Sequence, residues 1–297
     1  MRITFGTQLR HAAVEINQAA TRLAEAQQQV ASGRRISRAS DDPTGAAAAV
    51  GDRVTIGALS AFTATVDSTT SRLTLVDSAL SNVVDKLSSA QTAVVSASGS
   101  VPSASQKQAA IATLKSVREA LVSDFNGQFQ GAYVFSGTRA TTAPFSLQNG
   151  VVSGYQGNAS TMSVDVSRSR QVQTSFDAST ITQGSDAQDV FTVIDGLIAD
   201  IGSGNTDGVA AGQTALGRAF TRATQAQSSV GASLAALDDL RQSLSTESLA
   251  VKNTLSKTED ANLAQAATEM STASTAYQAA LSAFSKLGNT SLMDYLK

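Results

Sequence analysis

Apolar residues recur at alternating spacings of three and four near both ends of the chain. The first series is Phe5, Leu9, Ala12, Ile16, Ala19, Leu23, Ala26 and Val30. The second series is Leu263, Ala266, Met270, Ala273, Tyr277, Ala280, Phe284 and Leu287. Such spacing is typical of the apolar seam of a helical coiled coil. Each series therefore predicts a long helix, and its mixture of large and small side chains indicates close packing against a partner.

Two further apolar series predict long helices in the interior of the chain. They run from Leu59 to Val94 and from Phe220 to Leu255, and the second contains more polar positions. Shorter helical patterns lie near residues 105–129 and 187–201. Only three prolines occur in 297 residues, so few positions interrupt helices of this length.

Turn-forming residues separate these segments. Gly33 follows the first series and is expected to end its helix as a C-terminal cap. Asp42 and Pro43 predict the start of the next helix, as an N-cap followed by proline at the first helical position. The run 99–103, which contains glycine and proline, is expected to end that helix and to begin another.

Between residues 131 and 182 the pattern changes to short β-like runs with turn signals. The runs are Tyr133–Phe135, Val151–Val152, Met162–Val166 and Val172–Thr174. The dipeptides Asn149-Gly150 and Gly157-Asn158 are expected to turn the chain. Because the segment holds few large apolar residues, it predicts a small β-rich insertion with little stability of its own.

The order of these elements predicts a mainly α fold. We expect an elongated antiparallel helical coiled coil or bundle formed by the N- and C-terminal halves, because each apolar seam needs a partner. A small β-rich domain is inserted at the far turn. The predicted domains are a terminal coiled coil (1–32 and 258–297), a helical rod (33–130 and 183–257) and a β-rich outer insert (131–182).

Antiparallel pairing of the two terminal series fixes a register that brings opposite charges together. In this register Val30 lies opposite Leu263, near the end of both series. The residues that follow Val30 are basic and those that precede Leu263 are acidic. The four charged residues expected to meet are Arg34, Arg35, Glu259 and Asp260. This match in sign is independent of the apolar spacing and supports the pairing.

Composition excludes several functional classes. The chain has no cysteine, which excludes disulfides, thiolate metal sites and a cysteine nucleophile. Its single histidine, His11, excludes a two-histidine metal site within the chain and leaves little room for a serine–histidine triad. Ala, Ser and Thr make up 121 of the 297 residues, so one large apolar core is not expected. We predict no catalytic, cofactor-binding or metal-binding residue.

Charge and hydropathy bear on the partners of the chain. The net charge of −2 and the isoelectric point near 5.4 argue against a nucleic-acid partner. No stretch approaches the roughly 18 apolar residues of a membrane-spanning helix, so membrane insertion is not expected. The N-terminus has no apolar signal core. Any secretion is therefore expected to proceed without a cleaved signal peptide.

Polar clusters favour structural roles over catalysis. Adjacent acids occur at residues 41–42, 238–239 and 259–260, and adjacent side chains on a helix do not face each other as a catalytic pair would. An enzyme in the β-rich insert would need converging polar groups, and the insert offers few. The polar residues in the insert that could take part are Arg139, Asp165, Arg168, Arg170 and Asp177. An enzyme is therefore the least favoured function for this chain.

Several short motifs resemble bacterial flagellins and their relatives. The terminal motifs are Ala31–Ile36, Asp41–Ala46, Glu259–Ala264 and Tyr277–Leu281. Four others, which resemble the hook-associated branch of this family, are Met1–Thr4, Tyr133–Gly137, Pro144-Phe145 and Ser291–Lys297. The terminal motifs are specific in combination, and the central match is looser.

The resemblance implies a structural subunit of the bacterial flagellum, with no enzymatic activity and no cofactor. Such subunits leave the cell unfolded through the flagellar type III export channel and assemble outside it as a ring that joins hook to filament. The implied partners are other copies of the chain, the hook-side junction protein, flagellin and a flagellar export chaperone. The alternative within the family is a filament-forming flagellin.

The resemblance also implies roles for residues. The two terminal seams, whose members are given above, would form the inner tube of the assembly, and the rod and insert would face outward. A second group would set the register and the link to the rod. Its members are Arg34, Arg35, Asp41, Asp42, Pro43, Glu259 and Asp260.

Overall fold

The computed structural model describes residues 5–99, 102–148 and 150–295, with side chains from residue 7 to residue 286 in these ranges. Helices dominate it, which confirms the mainly α fold. The helices are α1 Phe5–Ser32, α2 Pro43–Ala97, α3 Ala104–Phe125, α4 Ala178–Thr182, α5 Val190–Ser203, α6 Thr206–Glu259 and α7 Leu263–Tyr295. The motif Met1–Thr4 and the last two residues of the motif Ser291–Lys297 lie outside the described residues.

Helix ends follow the predicted chemistry. Gly33 has φ +68° and its N–H donates to Gln29 O at 2.9 Å, which closes the C-terminus of α1. The Asp42 carboxylate accepts from Gly45 N at 2.9 Å and caps α2, whose first residue is Pro43. At the start of α3, Ser103 and the residue three positions later form a capping box.

The strands form three antiparallel two-stranded hairpins. They are β1 Gln128–Phe129, β2 Ala132–Tyr133, β3 Leu147–Gln148, β4 Val151–Val152, β5 Ser163–Ser167 and β6 Arg170–Gln173. The β1–β2 turn has φ +52° at Gln130 and φ +81° at Gly131. Positive φ at both central residues is the requirement of a type I′ hairpin turn. Of the predicted run Tyr133–Phe135, only Tyr133 lies in a strand.

Contacts divide the chain into two compact units, and the boundaries fall inside α2 and α6. The first unit comprises the chain up to Ser60 together with the chain from Thr246. The second unit is Ala61–Ser245. The three-part division expected from the sequence has other boundaries and stays a prediction.

The second unit contains a bundle of four helical segments from α2, α3, α5 and α6. Two contacts show the register of α2 with α6: Arg241 Nε lies 3.1 Å from Asp67 Oδ1, and a Cβ atom at Gly217 would lie 4.0 Å from Gln91 Nε2. A later position on α2 therefore faces an earlier position on α6, so the two segments run antiparallel. The predicted apolar series of α2 forms the core. Its fully buried members include Val66, Leu73, Val76, Leu80, Val83, Leu87 and Val94.

Aromatic residues join the hairpins of the second unit to its helices. Phe125 on α3 packs edge-on against Phe135 and Phe145, with ring centroids 5.5 and 5.9 Å apart. Phe191 on α5 lies 4.8 Å from Phe145 by the same measure. All four rings are buried. The segment that the sequence sets apart as an insert thus shares its core with α3 and α5, which explains how a segment with few apolar residues is stabilised.

Candidate assembly interface

Helices α1 and α7 form the most extensive helix pair of the described chain. Because α1 ends beside the residue at which α7 begins, the two helices run antiparallel. Most seam residues face the partner helix, where they are buried or half-buried. Those are Leu9, Ala12, Ile16, Ala19, Leu23, Ala26, Val30, Ala266, Met270, Ala273, Tyr277, Ala280 and Phe284. The spacing read from the sequence thus corresponds to the face along which α1 and α7 meet.

Three seam positions differ from the rest. Leu263 is the first residue of α7 and is 57% exposed, so within one chain it has little apolar contact. Phe5 and Leu287 lie in α1 and α7, but their side chains fall outside the described residues. The part of all three in an assembly seam stays a prediction.

The terminal helix pair leaves apolar surface uncovered. Ala26 and Ala266 are its fully buried members, at 7% and 3% exposure, and the other seam residues keep part of their surface. Val14 and Leu281 are larger and are 53% and 41% exposed. A pair of helices cannot bury apolar side chains on both faces, so this surface is available to a further partner.

A groove of about 410 Å³ runs between the two helices. Small side chains, among them Ala26, Ala273 and Ala276, form much of its wall. Arg22 and Glu269 line the same groove. The alanines therefore leave space that a side chain from another molecule could fill.

The chain between α1 and α2 is tied to the end of α6 by backbone hydrogen bonds. Arg35 N donates to Glu259 O at 2.7 Å, and Ala261 N donates to Gly33 O at 2.9 Å. Arg34 and Asp260 form an isolated antiparallel bridge. The structure therefore brings together the basic and acidic segments that the antiparallel register pairs.

Glu259 is the buried centre of this turn, with 4% of its surface exposed. Arg34 Nε lies 3.0 Å from Glu259 Oε1 without the angle of a hydrogen bond, so that contact is an ion pair. Arg53 on α2 donates a hydrogen bond to Glu259 Oε2. A buried carboxylate needs such charge partners. The sequence did not indicate Arg53, because its place beside Glu259 depends on how α2 returns past the end of α6.

Arg35 and Asp260, the other two residues expected to meet, make different contacts. Arg35 donates to Thr258 O at 2.8 Å and lies 3.3 Å from an Asp42 oxygen. Asp260 accepts a hydrogen bond from the Ser256 hydroxyl. Within the described chain, Arg34 thus forms an ion pair with Glu259, as the register predicts, whereas Arg35 pairs with Asp42.

Asp41 and Asp42 hold the loop between α1 and α2. The Asp41 carboxylate accepts from Arg38 N at 2.8 Å and from Ser37 N at 3.1 Å. Backbone N–H groups of these two residues lower the pKa of Asp41. The backbone N–H of Gly45, followed by the Thr44 hydroxyl, lowers the pKa of Asp42. Both aspartates act through hydrogen bonds to the loop and the helix start.

Gly45 lets this loop approach α2 closely. A Cβ atom at Gly45 would lie 2.5 Å from Asp42 Oδ2 and 2.6 Å from Ile36 Cδ1. Ile36 is itself buried and forms the small apolar core of the loop. The motif that contains these residues is therefore a packed structural unit.

Among the described residues, no hydrogen bond or ion pair joins any two of the five polar groups predicted in the insert. Asp177 caps α4 by accepting from Ser179 N at 2.8 Å, and Arg139 donates to the Gln156 carbonyl at 3.2 Å. Asp165, Arg168 and Arg170 are exposed on or beside β5 and β6. Asp177 and Arg139 thus make hydrogen bonds to the backbone, and the other three residues lie on the surface.

Within the described ranges, no group of three or more His, Asp or Glu side chains could hold a metal ion. None of the helices in these ranges is both long and apolar enough to cross a bilayer. His11 is exposed on α1, outside the seam.

Comparison with protein families gives two matches. Residues 8–140 match the bacterial flagellin N-terminal helical region. Residues 214–296 match the bacterial flagellin C-terminal helical region. Flagellar hook-associated protein 3 of Escherichia coli (strain K12) is 30% identical over 146 residues, which are 49% of this chain. The aligned region covers 45% of the length of that relative.

Solved structures with the same fold come from flagellar proteins. A protein from Vibrio parahaemolyticus that is assigned as flagellar hook-associated has a TM-score of 0.69 and 23% identity. The match covers 74% of this chain and 100% of that one. The flagellar junction protein FlgL from Legionella pneumophila has a TM-score of 0.53 and 13% identity, over 64% of this chain and 98% of that one. At these identities the likeness concerns the fold.

Proposed function

Because this chain belongs to the flagellin-like family and is similar to flagellar hook-associated protein 3, we propose that it is a structural subunit that joins the flagellar hook to the filament. It has no catalytic role in this proposal. Several copies form a ring outside the cell, with the hook-side junction protein on one side and flagellin on the other. The chain reaches that place unfolded, by type III export with a flagellar chaperone.

The observation that carries the proposal is the partly covered terminal helix pair. Its seam holds α1 and α7 together, yet apolar surface and a groove between the helices remain open. Apolar side chains left exposed along two paired helices do not stabilise a soluble monomer and are typical of an interaction site. In a ring, neighbouring terminal pairs would cover this surface, and repetition of one contact would close the assembly.

The proposed register residues have a complementary part. Arg34 and Glu259, together with the loop held by Asp41 and Asp42, fix how the terminal pair continues into α2 and α6. A fixed turn gives every copy the same geometry, which a closed ring requires. We therefore propose that the register residues and the loop between α1 and α2 act as one structural unit.

Removal of the chain from the cell tests the proposal. We expect hooks without attached filaments, with flagellin released into the medium, because the joining layer is absent. Restoring the gene should restore attached filaments. Normal filaments on cells that lack the chain would contradict the proposal.

The flagellin alternative makes a different prediction. A filament-forming subunit polymerises alone into long filaments, whereas a junction subunit forms at most short rings. Incubation of the purified chain under conditions that polymerise flagellin, followed by electron microscopy, separates the two. Long filaments made of this chain alone would favour the flagellin reading.

A further inference from the structure

Arg72 on α2 is a half-buried cation that has no hydrogen-bond or ion-pair partner among the described residues. Its Nε is shielded from solvent but makes no hydrogen bond, and no ion pair joins the side chain to any described residue. Burial lowers the pKa of this guanidinium. A half-buried guanidinium without an anion is unfavourable, because it loses hydration and gains no ion pair in return.

Arg72 lines a groove of about 460 Å³ between α2 and the β hairpins. Its wall carries hydroxyl and amide groups, among them Thr65, Ser68 and Gln130, and includes no acid. Gln130 stands in the type I′ turn described above, which places it at the rim of the groove. One cation surrounded by hydroxyl groups suits a carboxylate.

The second unit also contains an acidic pair that has no partner in the part of the chain that the structure describes. Asp238 and Asp239 on α6 are exposed, and among the described residues neither makes a hydrogen bond or an ion pair. The contact of Arg241 with Asp67 shows which level of α2 the acidic pair faces along the bundle. By that register the acidic pair and Arg72 lie within about one helical turn, roughly 5.4 Å, of the same height.

We propose that Asp238 and Asp239 of one copy dock into the Arg72 groove of the next copy, as a head-to-tail contact of the ring. In a ring whose axis runs along these helices, neighbouring copies lie at the same height. A residue then meets residues at its own height in the next copy. The groove lies on α2 and the acidic pair on α6, so each copy carries both halves of the contact. The inference rests on the proposed ring function.

Cross-linking tests the contact directly, because the chain has no cysteine of its own. The probe is a chain with Ser68→Cys and Asp239→Cys, assembled on cells and treated with a short bismaleimide. Each copy carries one cysteine from each side of the contact, so a head-to-tail ring gives a ladder of covalent multimers. The matched control is Ser68→Cys with Thr224→Cys, since Thr224 is exposed on α6 at a different height. The control should give no ladder.

Charge reversal tests whether the contact matters. The readout is the fraction of cells with an attached filament, counted by electron microscopy. We expect Arg72→Glu, or Asp238→Lys with Asp239→Lys, to lower this fraction by about tenfold, since like charges then face each other. The combined variant should recover to within about twofold of the unchanged chain. Arg72→Gln removes the attraction without repulsion and should lie between.

Two controls separate folding from docking. Thermal unfolding of purified Arg72→Glu, and the amount of it exported, should match those of the unchanged chain. If Arg72→Glu is less stable or is exported less, the filament count of Arg72→Gln and the cross-linking ladder test the contact instead. Neither of these experiments places a new charge in the groove.

The outcomes distinguish this inference from the ring function. A ladder equal to the control, together with attached filaments in Arg72→Glu cells, would overturn the docking contact. If cells that lack the whole chain still lose their filaments, the junction function stands. If those cells keep their filaments, both proposals are wrong.

Discussion

At the scale of residues, the contact most open to measurement is the buried carboxylate of Glu259. Its two arginines come from different segments, Arg34 from the loop after α1 and Arg53 from α2. Loss of one partner leaves a buried charge partly compensated, which costs more than loss of an exposed ion pair.

We predict measurable coupling between Glu259 and Arg53. In a double-mutant cycle with Glu259→Gln and Arg53→Gln, the coupling energy should be about 0.5–3 kcal/mol. The matched control is Asp67→Asn with Arg241→Gln, an exposed pair worth roughly 0–1 kcal/mol. The measurement is urea unfolding of the purified chain. Equal coupling in the two cycles would mean that burial of Glu259 adds nothing to the pair.

Gly45 offers a second test at the same scale. Gly45→Ala should destabilise the chain by about 1–3 kcal/mol, because the new Cβ meets Asp42 and Ile36. The control is Gly51→Ala in the same helix, where nothing lies within 4 Å. That change should stabilise the chain by roughly 0.5–1 kcal/mol through helix propensity. Thermal unfolding compares the two, and similar effects from both would show that the loop can move away from α2.

At the scale of elements, the terminal helix pair differs from the bundle in how much it buries. The seam of α1 and α7 is mostly half-buried, whereas the apolar series of α2 from Val66 to Val94 is almost entirely buried. Isolated helices gain little stability without packing. The same periodicity thus yields two helix pairs of unequal stability.

We expect hydrogen exchange to reveal this difference. In a purified monomer, amides of residues 7–32 and 263–286 should exchange faster than those of residues 66–94, because a partly buried pair opens more readily. Protection of the terminal amides should rise in assembled flagella. Equal protection of both regions in a verified monomer would contradict the prediction.

The alanines of the terminal seam should also respond unequally. Ala266 is buried at 3% exposure, so Ala266→Leu should overpack the helix pair and cost about 1–3 kcal/mol in the monomer. Ala273 borders the open groove, so Ala273→Leu should leave the monomer nearly unchanged. In cells, Ala273→Leu should still reduce filament attachment if a neighbouring copy fills the groove. Urea unfolding and filament counts together measure both effects.

At the scale of the whole molecule, the lowered carboxyl pKa values predict a response to acid. Hydrogen bonds from Arg222 and then Arg218 lower the pKa of Asp186, and backbone N–H groups lower those of Asp41 and Asp42. Such groups contribute stability above their unfolded pKa of about 3.9 and lose it as pH falls through the folded value. Asp124 acts in the opposite sense, since burial raises its pKa.

We therefore predict that the free energy of unfolding falls as the pH is lowered below about 4. Three lowered groups outweigh the one raised group in this range. Asp186→Asn should make the fall shallower, because one of the titrating groups is removed. Unfolding midpoints measured from neutral to acidic pH give the test, and a midpoint that rises on acidification would contradict it.

The sequence by itself determined the helices and the pairing of the two chain ends. Spacing of three and four along Leu9–Val30 and Ala266–Phe284 is a property of consecutive residues, so it needs no knowledge of the fold. Antiparallel pairing of these series gave a register, which the opposite charges at residues 34–35 and 259–260 supported. Helix caps at Gly33 and Asp42 were equally local, since each depends on the few residues around it.

Only the tertiary structure decided which distant side chains meet. Arg53 reaches Glu259, and the rings of Phe135 and Phe145 lie against α3 and α5, because loops bring segments far apart in sequence side by side. Only the structure likewise showed that Arg72 has no partner among the described residues, because this depends on which segments pack beside α2. Periodicity tells which face of a helix is buried but not what covers it, because that depends on how the helices cross.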